Sequence, residues 1–479
     1  MTQTTSPLDA EPVPDLGRLR AGFSGEILTP ADGERYDDAR TVFNAMFDRR
    51  PAVIARATCD GDVVAALLFA QSARLPIAIR AGGHSVAGYS AIDGGVLLDL
   101  RPMKQIQVDP LARRARVGPG VTWGELDRAT QEHGLATTGG RMTTTGVAGF
   151  VLGSGSGWLE RLHGFACDNL ASARVITADG RILTANETEN PDLFWGLRGG
   201  GGNFGVVTEF ELRLHPVGPT IYGGMLIHPR ERASEVLRFF RDFMHSAPRE
   251  VAGGAILMTA PPAPFVPPEL RGQQAVSVLA AYFGDSGEGA EVLAPLRAFG
   301  DPPVDLVGPM PYLDLQAITD AGNPPGRRNY WTSDLLTGLP DEAIAALVER
   351  ANAATSPASV TIVAPYGGAV AEVPEDAVPI GGRSAPWFYH CYGIWTDRDD
   401  ERHIGWVKAT TAALRPWARS GMALNFFSDV DRDRVRSAFG DGKYRRLVAL
   451  KDRYDPDNVF RMNQNVRPSS MRLDHGRLH

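Results

Sequence analysis

Three glycine-rich stretches between residues 80 and 205 contain the residue types in this sequence that could do chemistry. They occupy residues 80–88 (RAGGHSVAG), 143–158 and 199–205. Glycine has no Cβ, so backbone N–H groups in such stretches can approach a phosphate closely, and neighbouring Ser and Thr hydroxyls add donors. Each stretch alone could be a tight turn, but together they indicate a cradle for a pyrophosphate.

Two better-known glycine motifs are excluded by their context. Gly200, Gly202 and Gly205 have the spacing GxGxxG, but they precede a predicted strand at 206–214 instead of following a strand and opening a helix. Ser156 has Ser154, not glycine, two residues before it, so the nucleophile elbow of hydrolases is absent. The sequence contains no P-loop either.

A second group of reactive side chains lies in the predicted strand 387–395 (WFYHCYGIW). Because side chains alternate along a strand, Phe388, His390 and Tyr392 share one face. That face combines an imidazole, a phenol and an aromatic wall. A half-buried structural histidine is an equally good interpretation of His390 from the sequence.

The elements that position these residues change in character at 215–219 (HPVGP), where two prolines and a glycine end a strand. Before this point, short strands alternate with short helices such as 122–133. After it, amphipathic helices at 232–244, 288–299, 341–353 and 402–417 are interleaved with strands at 275–283, 359–364 and 387–395. The pattern predicts an α+β protein whose second part is an antiparallel sheet covered by helices.

Composition limits the function classes. The 479 residues are 43% hydrophobic and carry a net charge of −7 with scattered Lys and Arg, which disfavours nucleic acid and membrane partners. Cys59, Cys167 and Cys391 lie far apart, so we expect no disulfide framework, no metal site and a cytoplasmic location. The oligomeric state is left open.

The end of the chain is unusually rich in amides. A predicted helix at 444–454 is followed by Asn463, Gln464 and Asn465. Because buried amides need hydrogen-bond partners, we expect this tail to return to a polar ligand in the first part of the chain.

Four motifs in order resemble the berberine-bridge-enzyme-like oxidases, which belong to the vanillyl-alcohol-oxidase and para-cresol-methylhydroxylase (PCMH-type) flavoproteins. They are RxGGHS at 80–85, the run 146–169, NPDLFWGLRGG at 190–200 and YDPDNVFRxNQN at 454–465. The resemblance covers about residues 45–468. It implies FAD and a two-part PCMH-type FAD-binding domain with a substrate domain: an N-terminal extension at 1–40, the FAD domain at 41–217, the substrate domain at 218–435 and a returning segment at 436–479.

The resemblance also implies how FAD is held. His84 matches the histidine that bonds to the flavin 8α-methyl, a reaction that needs a neutral imidazole. The position of the cysteine that makes a second bond in many relatives is taken by Met142, so we predict a single covalent link. Cys167 is better explained as a small buried hydrophobe. The other FAD contacts implied are Ala81, Gly82, Gly83, Ser85, Gly88, Thr145, Gly146, Gly149, Ser154, Trp158, Gly205, Val207, Asn463 and Asn465.

On the substrate side, His390 stands where relatives carry a catalytic Glu or Gln. We name His390 as the candidate base, with Tyr392 as its helper. Relatives often have a catalytic tyrosine two residues before Asn425, but Ala423 stands there in this sequence, which weakens an assignment to sugar or alcohol oxidation. The remaining substrate candidates are Tyr330, Trp331, Arg383 and Asn425.

These residues predict an FAD-dependent oxidase that transfers a hydride from a small organic substrate to flavin and reduces oxygen to hydrogen peroxide. The substrate classes considered are alcohols, phenols, sugars and secondary metabolites. Two alternatives stay open: a dehydrogenase of the same fold with another electron acceptor, and a catalytically silent flavin-binding protein.

Overall fold

The computed structural model describes residues 16–285, 287–429 and 431–471, and the chain begins with a small α/β unit. Its sheet has the order β1–β2–β4–β3, in which β4 is parallel to both β2 and β3 and β1 is antiparallel to β2. The elements are α1 Gly17–Ala21, β1 Glu26–Leu28, α2 Glu34–Arg40, β2 Val53–Arg56, α3 Asp60–Ser72, β3 Ile77–Arg80 and β4 Val96–Asp99.

The end of β3 is fixed by a buried ion pair. Arg80 and Asp99 have no exposed side-chain surface, and the Arg80 Nη2 lies 2.8 Å from the Asp99 carboxylate. Arg80 is the first residue of the first glycine stretch, so the pair anchors its start. Upstream, β1 pairs with β2 and Tyr36 is buried, so the predicted extension at 1–40 contributes to this unit from residue 17 onward.

A second unit follows around an antiparallel five-stranded sheet in the order β5–β6–β10–β8–β9, with a two-stranded pair β11–β7 beside it. Helix α4 begins after Thr122, whose backbone N–H donates to Glu125 Oε2 at 2.9 Å. The elements are β5 Ile106–Asp109, β6 Arg114–Val117, α4 Trp123–Gln131, β7 Leu135–Ala136, α5 Val147–Leu152, α6 Glu160–His163, β8 Leu170–Ile176, β9 Ile182–Asn186, α7 Pro191–Leu197, β10 Val206–Arg213 and β11 His215–Pro216.

The third unit is a nine-stranded antiparallel sheet in the order β15–β12–β14–β13–β18–β19–β17–β20, with β16 also paired to β12. Its elements are β12 Thr220–Pro229, α8 Ala233–Ser246, β13 Val251–Thr259, β14 Gln274–Tyr282, α9 Gly289–Ala298, β15 Val304–Asp305, β16 Gly308–Pro311, α10 Tyr312–Ala317, β17 Arg328–Leu336, α11 Asp341–Asn352, β18 Val360–Pro365, α12 Ala369–Glu372, β19 Trp387–Trp395, α13 Asp400–Leu414 and β20 Ala418–Arg419.

Helices cover one face of this large sheet. Apolar side chains of α8, α9, α11 and α13, such as Phe240, Leu293, Ile344 and Trp406, pack with sheet residues in one buried cluster. The opposite face is turned toward the glycine stretches. The predicted α+β class, with an antiparallel sheet covered by helices, is therefore confirmed.

Two further helices, α14 Arg432–Phe439 and α15 Asp441–Tyr454, precede the amide-rich tail. The tail does return to the first part of the chain: the Asn463 Nδ2 donates to the Gly202 carbonyl at 3.0 Å. Across the three described ranges, no helix is both long and apolar enough to span a bilayer. The domain boundaries drawn from the sequence stay predictions.

Candidate active site

A cavity of about 1010 Å³ lies between the glycine stretches and the open face of the large sheet. Ligand pockets usually occupy roughly 300–1,000 Å³, so this one lies at the upper end of that range. All three glycine stretches contribute to its wall, and strands β13, β18 and β19 face them.

The first two glycine stretches meet main chain to main chain. A Cβ on Gly82 would lie 2.4 Å from the Gly146 nitrogen, and a Cβ on Gly146 would lie 2.5 Å from the Gly82 nitrogen. Neither position has room for a side chain. Gly83 follows with a φ of 74°, a backbone conformation that glycine adopts without strain. The result is a compact backbone surface, at which α5 begins directly after Gly146.

His84 comes out of this turn into the cavity. Its ring stacks on Phe43, with ring centroids 4.3 Å apart and planes 18° from parallel. Burial lowers the pKa of His84 to about 4, so the imidazole is neutral near pH 7. The geometry therefore presents a neutral, fixed imidazole at the wall of the cradle.

Met142, which the sequence resemblance places where many relatives carry a second flavin link, lines the same cavity and packs against the cluster of Phe43, Val86 and Trp331. Its thioether cannot make that bond. Cys167 is fully buried within an apolar cluster, and burial raises the pKa of its thiol. This placement agrees with its interpretation as a small hydrophobe.

The third stretch and the C-terminal tail close the other side of the cradle. At the cavity wall, the Asn463 Oδ1 and Trp158 Nε1 are buried and have no hydrogen-bond partner among the described residues. Buried polar atoms need partners. An isoalloxazine edge, with an imide N–H between two carbonyls, supplies the kind of partner that amide oxygens require, so the residues present fit FAD.

On the sheet side, His390 and Tyr392 of β19 line the cavity. The His390 ring is 3% exposed and packs on Phe426 at 4.3 Å between centroids. Both of its ring nitrogens lack a partner among the described residues. Burial lowers the pKa of His390 well below its usual range, and the charge of Arg141 lowers it further. Burial raises the pKa of Tyr392, so His390 is an acceptor and Tyr392 a donor at neutral pH.

Arg141 is a cavity residue that the sequence analysis did not identify. Its Nη2 donates to the Gly157 carbonyl at 3.1 Å and lies 3.2 Å from Glu160 Oε1, while the guanidinium lies over the Trp158 ring. Burial raises the pKa of Glu160. The only sequence signal was a charged residue directly before Met142, within a glycine- and threonine-rich run.

Most of the predicted site residues are brought together, because their positions line one cavity: Ala81, Gly82, Gly83, His84, Ser85, Thr145, Gly146, Gly149, Trp158, Gly205, Val207, Asn463, Trp331, His390, Tyr392 and Asn425. Asn425 is held by α5, since its Nδ2 donates to the Gly149 carbonyl at 2.9 Å.

Five predicted site residues lie outside the cavity wall: Gly88, Ser154, Tyr330, Arg383 and Asn465. Arg383 is 2% exposed and makes a two-pronged ion pair with Asp168, at 2.9 and 2.7 Å. Its guanidinium is therefore engaged behind the site. Tyr330 alternates with Trp331 along β17, so their side chains lie on opposite faces of the sheet.

Comparisons with known proteins agree with this geometry. The family described as "FAD binding domain" matches residues 51–186, and the family described as "Berberine and berberine like" matches residues 421–467. The (R)-6-hydroxynicotine oxidase of Paenarthrobacter nicotinovorans is 30% identical over 467 residues, which cover 93% of this chain and 97% of the relative.

Solved structures share the fold over most of the chain. The 6-hydroxy-D-nicotine oxidase of Arthrobacter nicotinovorans superimposes with a TM-score of 0.83 at 27% identity, over 93% of this chain and 98% of that one. Glucooligosaccharide oxidase from Acremonium strictum, described with a 6-S-cysteinyl, 8α-N1-histidyl FAD, gives a TM-score of 0.81 at 25% identity, over 94% of this chain and 99% of that one.

The fold and the site define an FAD-dependent oxidoreductase. The chain belongs to the berberine-bridge-enzyme-like family of PCMH-type flavoproteins.

Proposed function

We propose that this protein is an oxidase that carries FAD on a single covalent bond from His84 and oxidises a small organic molecule at the expense of oxygen. The observation that carries the proposal is the neutral His84 imidazole, stacked on Phe43 at the edge of a glycine cradle. A neutral ring nitrogen has the lone pair that bond formation requires. Because the Met142 thioether cannot bond to the flavin, His84 is the single attachment site in this proposal.

FAD supplies the hydride acceptor when it is bound. The rest of the chemistry belongs to the chain: hydride loss from a carbon bearing O–H or N–H is easier when a base accepts the heteroatom proton. His390 faces the cavity with both ring nitrogens lacking a partner among the described residues and is neutral, so it can accept that proton. Tyr392, whose pKa is raised by burial, stays protonated and can donate a hydrogen bond to the same substrate oxygen or nitrogen.

The assignment of oxygen as acceptor is supported by the relatives, which are named oxidases of 6-hydroxynicotine and of glucooligosaccharide. A cytoplasmic location remains part of the proposal, and it is compatible with the free state of Cys59, Cys167 and Cys391.

The covalent bond is tested by intact mass spectrometry of the denatured chain. The wild type should carry the mass of one FAD, and His84→Ala should show the apo mass. Cys167→Ala is the matched control, because Cys167 is buried away from the cavity wall, and it should keep the flavin. A wild-type chain with only its apo mass, or loss of the adduct in Cys167→Ala, would contradict the proposed link.

The acceptor is tested by mixing the reduced protein with aerated buffer in a stopped-flow instrument. Rapid reoxidation with release of peroxide supports the oxidase, whereas slow reoxidation identifies a dehydrogenase. A screen of alcohols and phenols under anaerobic conditions separates the oxidase and the dehydrogenase from a catalytically silent flavin protein. The flavin of a silent protein would be bleached by light but would not be reduced by any of the compounds.

A further inference from the structure

The face of the large sheet that looks into the cavity is almost entirely apolar. Because neighbouring strands are in register, its side chains form cross-strand rows. The central row is Ile256, Ile362 and His390, joined by direct pairing of β13 with β18 and of β18 with β19. The row continues to Ser277 of β14 and Ser333 of β17, which are not part of the cavity wall, so within the wall His390 is its polar member.

The flanking rows have the same character. On one side, Leu279 pairs with Gly254, and Ala364 pairs with Phe388. On the other side, Val360 pairs with Tyr392, and Tyr392 pairs with Trp331, whose ring stacks on it at 4.3 Å between centroids. Among the large-sheet residues of the cavity wall, the titratable side chains are thus His390 and Tyr392 of β19, next to the glycine cradle.

The cavity continues well beyond β19. Its wall follows β13 from Gly253 to Thr259, which at about 3.4 Å per residue is a distance of roughly 20 Å. It then reaches the loop that contains Pro261, Pro262 and Phe265, and the Phe265 ring is 45% exposed. These residues are separate from the glycine stretches, so this part of the cavity lies outside the cofactor cradle.

The lining chemistry selects against strongly polar ligands. Among the described residues of the wall there is no Asp or Glu, and the charged side chains are Arg141 and Arg327. A sugar buried on this face would lose hydrogen bonds to water without replacement, which costs free energy at each hydroxyl. A cation would find no carboxylate. Flat apolar rings, in contrast, match a wall of Ile, Leu, Val, Phe and Trp side chains.

We infer that the substrate of the oxidase is an extended, apolar molecule of several fused or linked rings. Its reacting end lies at His390 and Tyr392, and its body lies along the Ile362 and Ile256 row, beside Gly254, which is two residues from Ile256 on the same face of β13. Gly254 sets how large that body can be. This inference rests on the proposed function, because it assigns the substrate class of the same site.

Gly254 is suited to this role by its surroundings. An added Cβ would meet the Ala364 Cβ at 3.4 Å, the Val363 oxygen at 3.5 Å and an Ile362 methyl at 3.6 Å, which are ordinary contacts. A Cβ can therefore be added at residue 254 without displacing the sheet. The neighbouring Gly253 differs, since a Cβ there would lie 2.6 Å from the Leu279 carbonyl oxygen.

The test is a size series measured on the holoenzyme: para-hydroxybenzyl alcohol and its naphthalene and anthracene homologues. Binding is followed by perturbation of the flavin spectrum, and flavin reduction is followed separately without oxygen. For the wild type we expect affinity to rise about five- to tenfold with each added ring, the gain that burial of one ring on an apolar wall gives.

Gly254→Val should bind the anthracene compound at least tenfold more weakly than the wild type while its affinity for the one-ring compound stays within about twofold, since only the larger ligand reaches the added side chain. The matched control is Gly308→Val on β16 of the same sheet, where a Cβ would meet nothing within 4 Å and no cavity wall is involved. It should leave the whole series unchanged.

Equal affinity across the wild-type series, or an equal loss for all three ligands in Gly254→Val, would overturn the inference. Failure of the proposed function is distinguishable, because it would abolish flavin reduction by every compound and leave the binding series intact.

Discussion

Lys451 and Asp455 lie one helical turn apart at the end of α15, both with no exposed side-chain surface, and the Lys451 Nζ is 2.6 Å from Asp455 Oδ2. The same ammonium donates to the carbonyls of Asn203 and Phe460. Asn203 belongs to the third glycine stretch, and Phe460 opens the amide-rich tail. One buried cation therefore joins the last helix, the tail and the cofactor cradle.

Lys451→Met should lower the free energy of unfolding by about 3–5 kcal/mol, because it leaves a buried carboxylate without its partner. Chemical denaturation measures the change. The control is Lys104→Met, which removes a partly exposed pair with Glu125 and should cost at most about 1 kcal/mol. Similar losses in the two variants would contradict the anchoring role of Lys451.

His390→Phe should slow flavin reduction by about 100- to 10,000-fold, the usual contribution of a general base, while substrate binding changes little. Rapid-reaction spectroscopy without oxygen separates the two effects. Phe388→Leu alters the same wall of the cavity without removing a proton acceptor and should have a small effect on the rate. An unchanged reduction rate in His390→Phe would remove His390 from the mechanism.

As the pH is lowered, the rate of flavin reduction should begin to fall at a higher pH in Arg141→Gln than in the wild type. The Arg141 charge lowers the pKa of His390, so its removal raises that pKa, and protonation then blocks the base as the pH falls through the new value. The pH profile of the reduction rate measures the shift. Arg141→Lys keeps the charge and should keep the wild-type profile; a profile displaced equally in both variants would argue against an electrostatic effect.

Asp127→Asn should stabilise the protein at pH 8 by about 2–4 kcal/mol and have little effect at pH 4. Burial raises the pKa of Asp127 to about 7 from 3.8, so the unfolded chain loses this proton first and wild-type stability falls as the pH rises between these values. The amide introduced by the substitution carries no charge at any pH. It also keeps a polar group beside the Gln316 side chain, which in the wild type donates to Asp127 at 2.7 Å.

Thermal denaturation across this pH range measures the difference. Glu132→Gln, at an exposed position after α4, is the control and should follow the wild type throughout. A destabilised Asp127→Asn at pH 8 would mean that the carboxylate is ionised and useful in the folded state.

Much of the fold could be predicted because its signals are local. A run of aromatic and apolar residues gave β19 with its observed bounds, Trp387–Trp395, and amphipathic periodicity gave α11 to within one residue. Helix ends shifted by one to three residues elsewhere, as for α15, which begins at Asp441 where the prediction began at 444. The first turn of that helix carries charged and small residues that show no apolar period.

The roles of arginines could not be predicted in the same way. Sequence position indicated Arg383 for the substrate, whereas its guanidinium binds Asp168, which is 215 residues away. Arg141 lies in the cavity because its ion-pair partner, Glu160, is on α6. The Trp158 ring, two residues before Glu160, lies under the Arg141 guanidinium. The position of a charged side chain depends on its ion-pair partner. When the partner is distant in sequence, no local sequence pattern reveals the pair.

The tail that completes the cradle has a consequence for biosynthesis. Val466 donates its backbone N–H to the Asn203 Oδ1 at 2.9 Å, across 263 residues of chain. A nascent polypeptide folds from its N-terminus as it leaves the ribosome. The glycine stretches therefore emerge long before the amides that close over them, and the cradle is complete only after the tail has been synthesised.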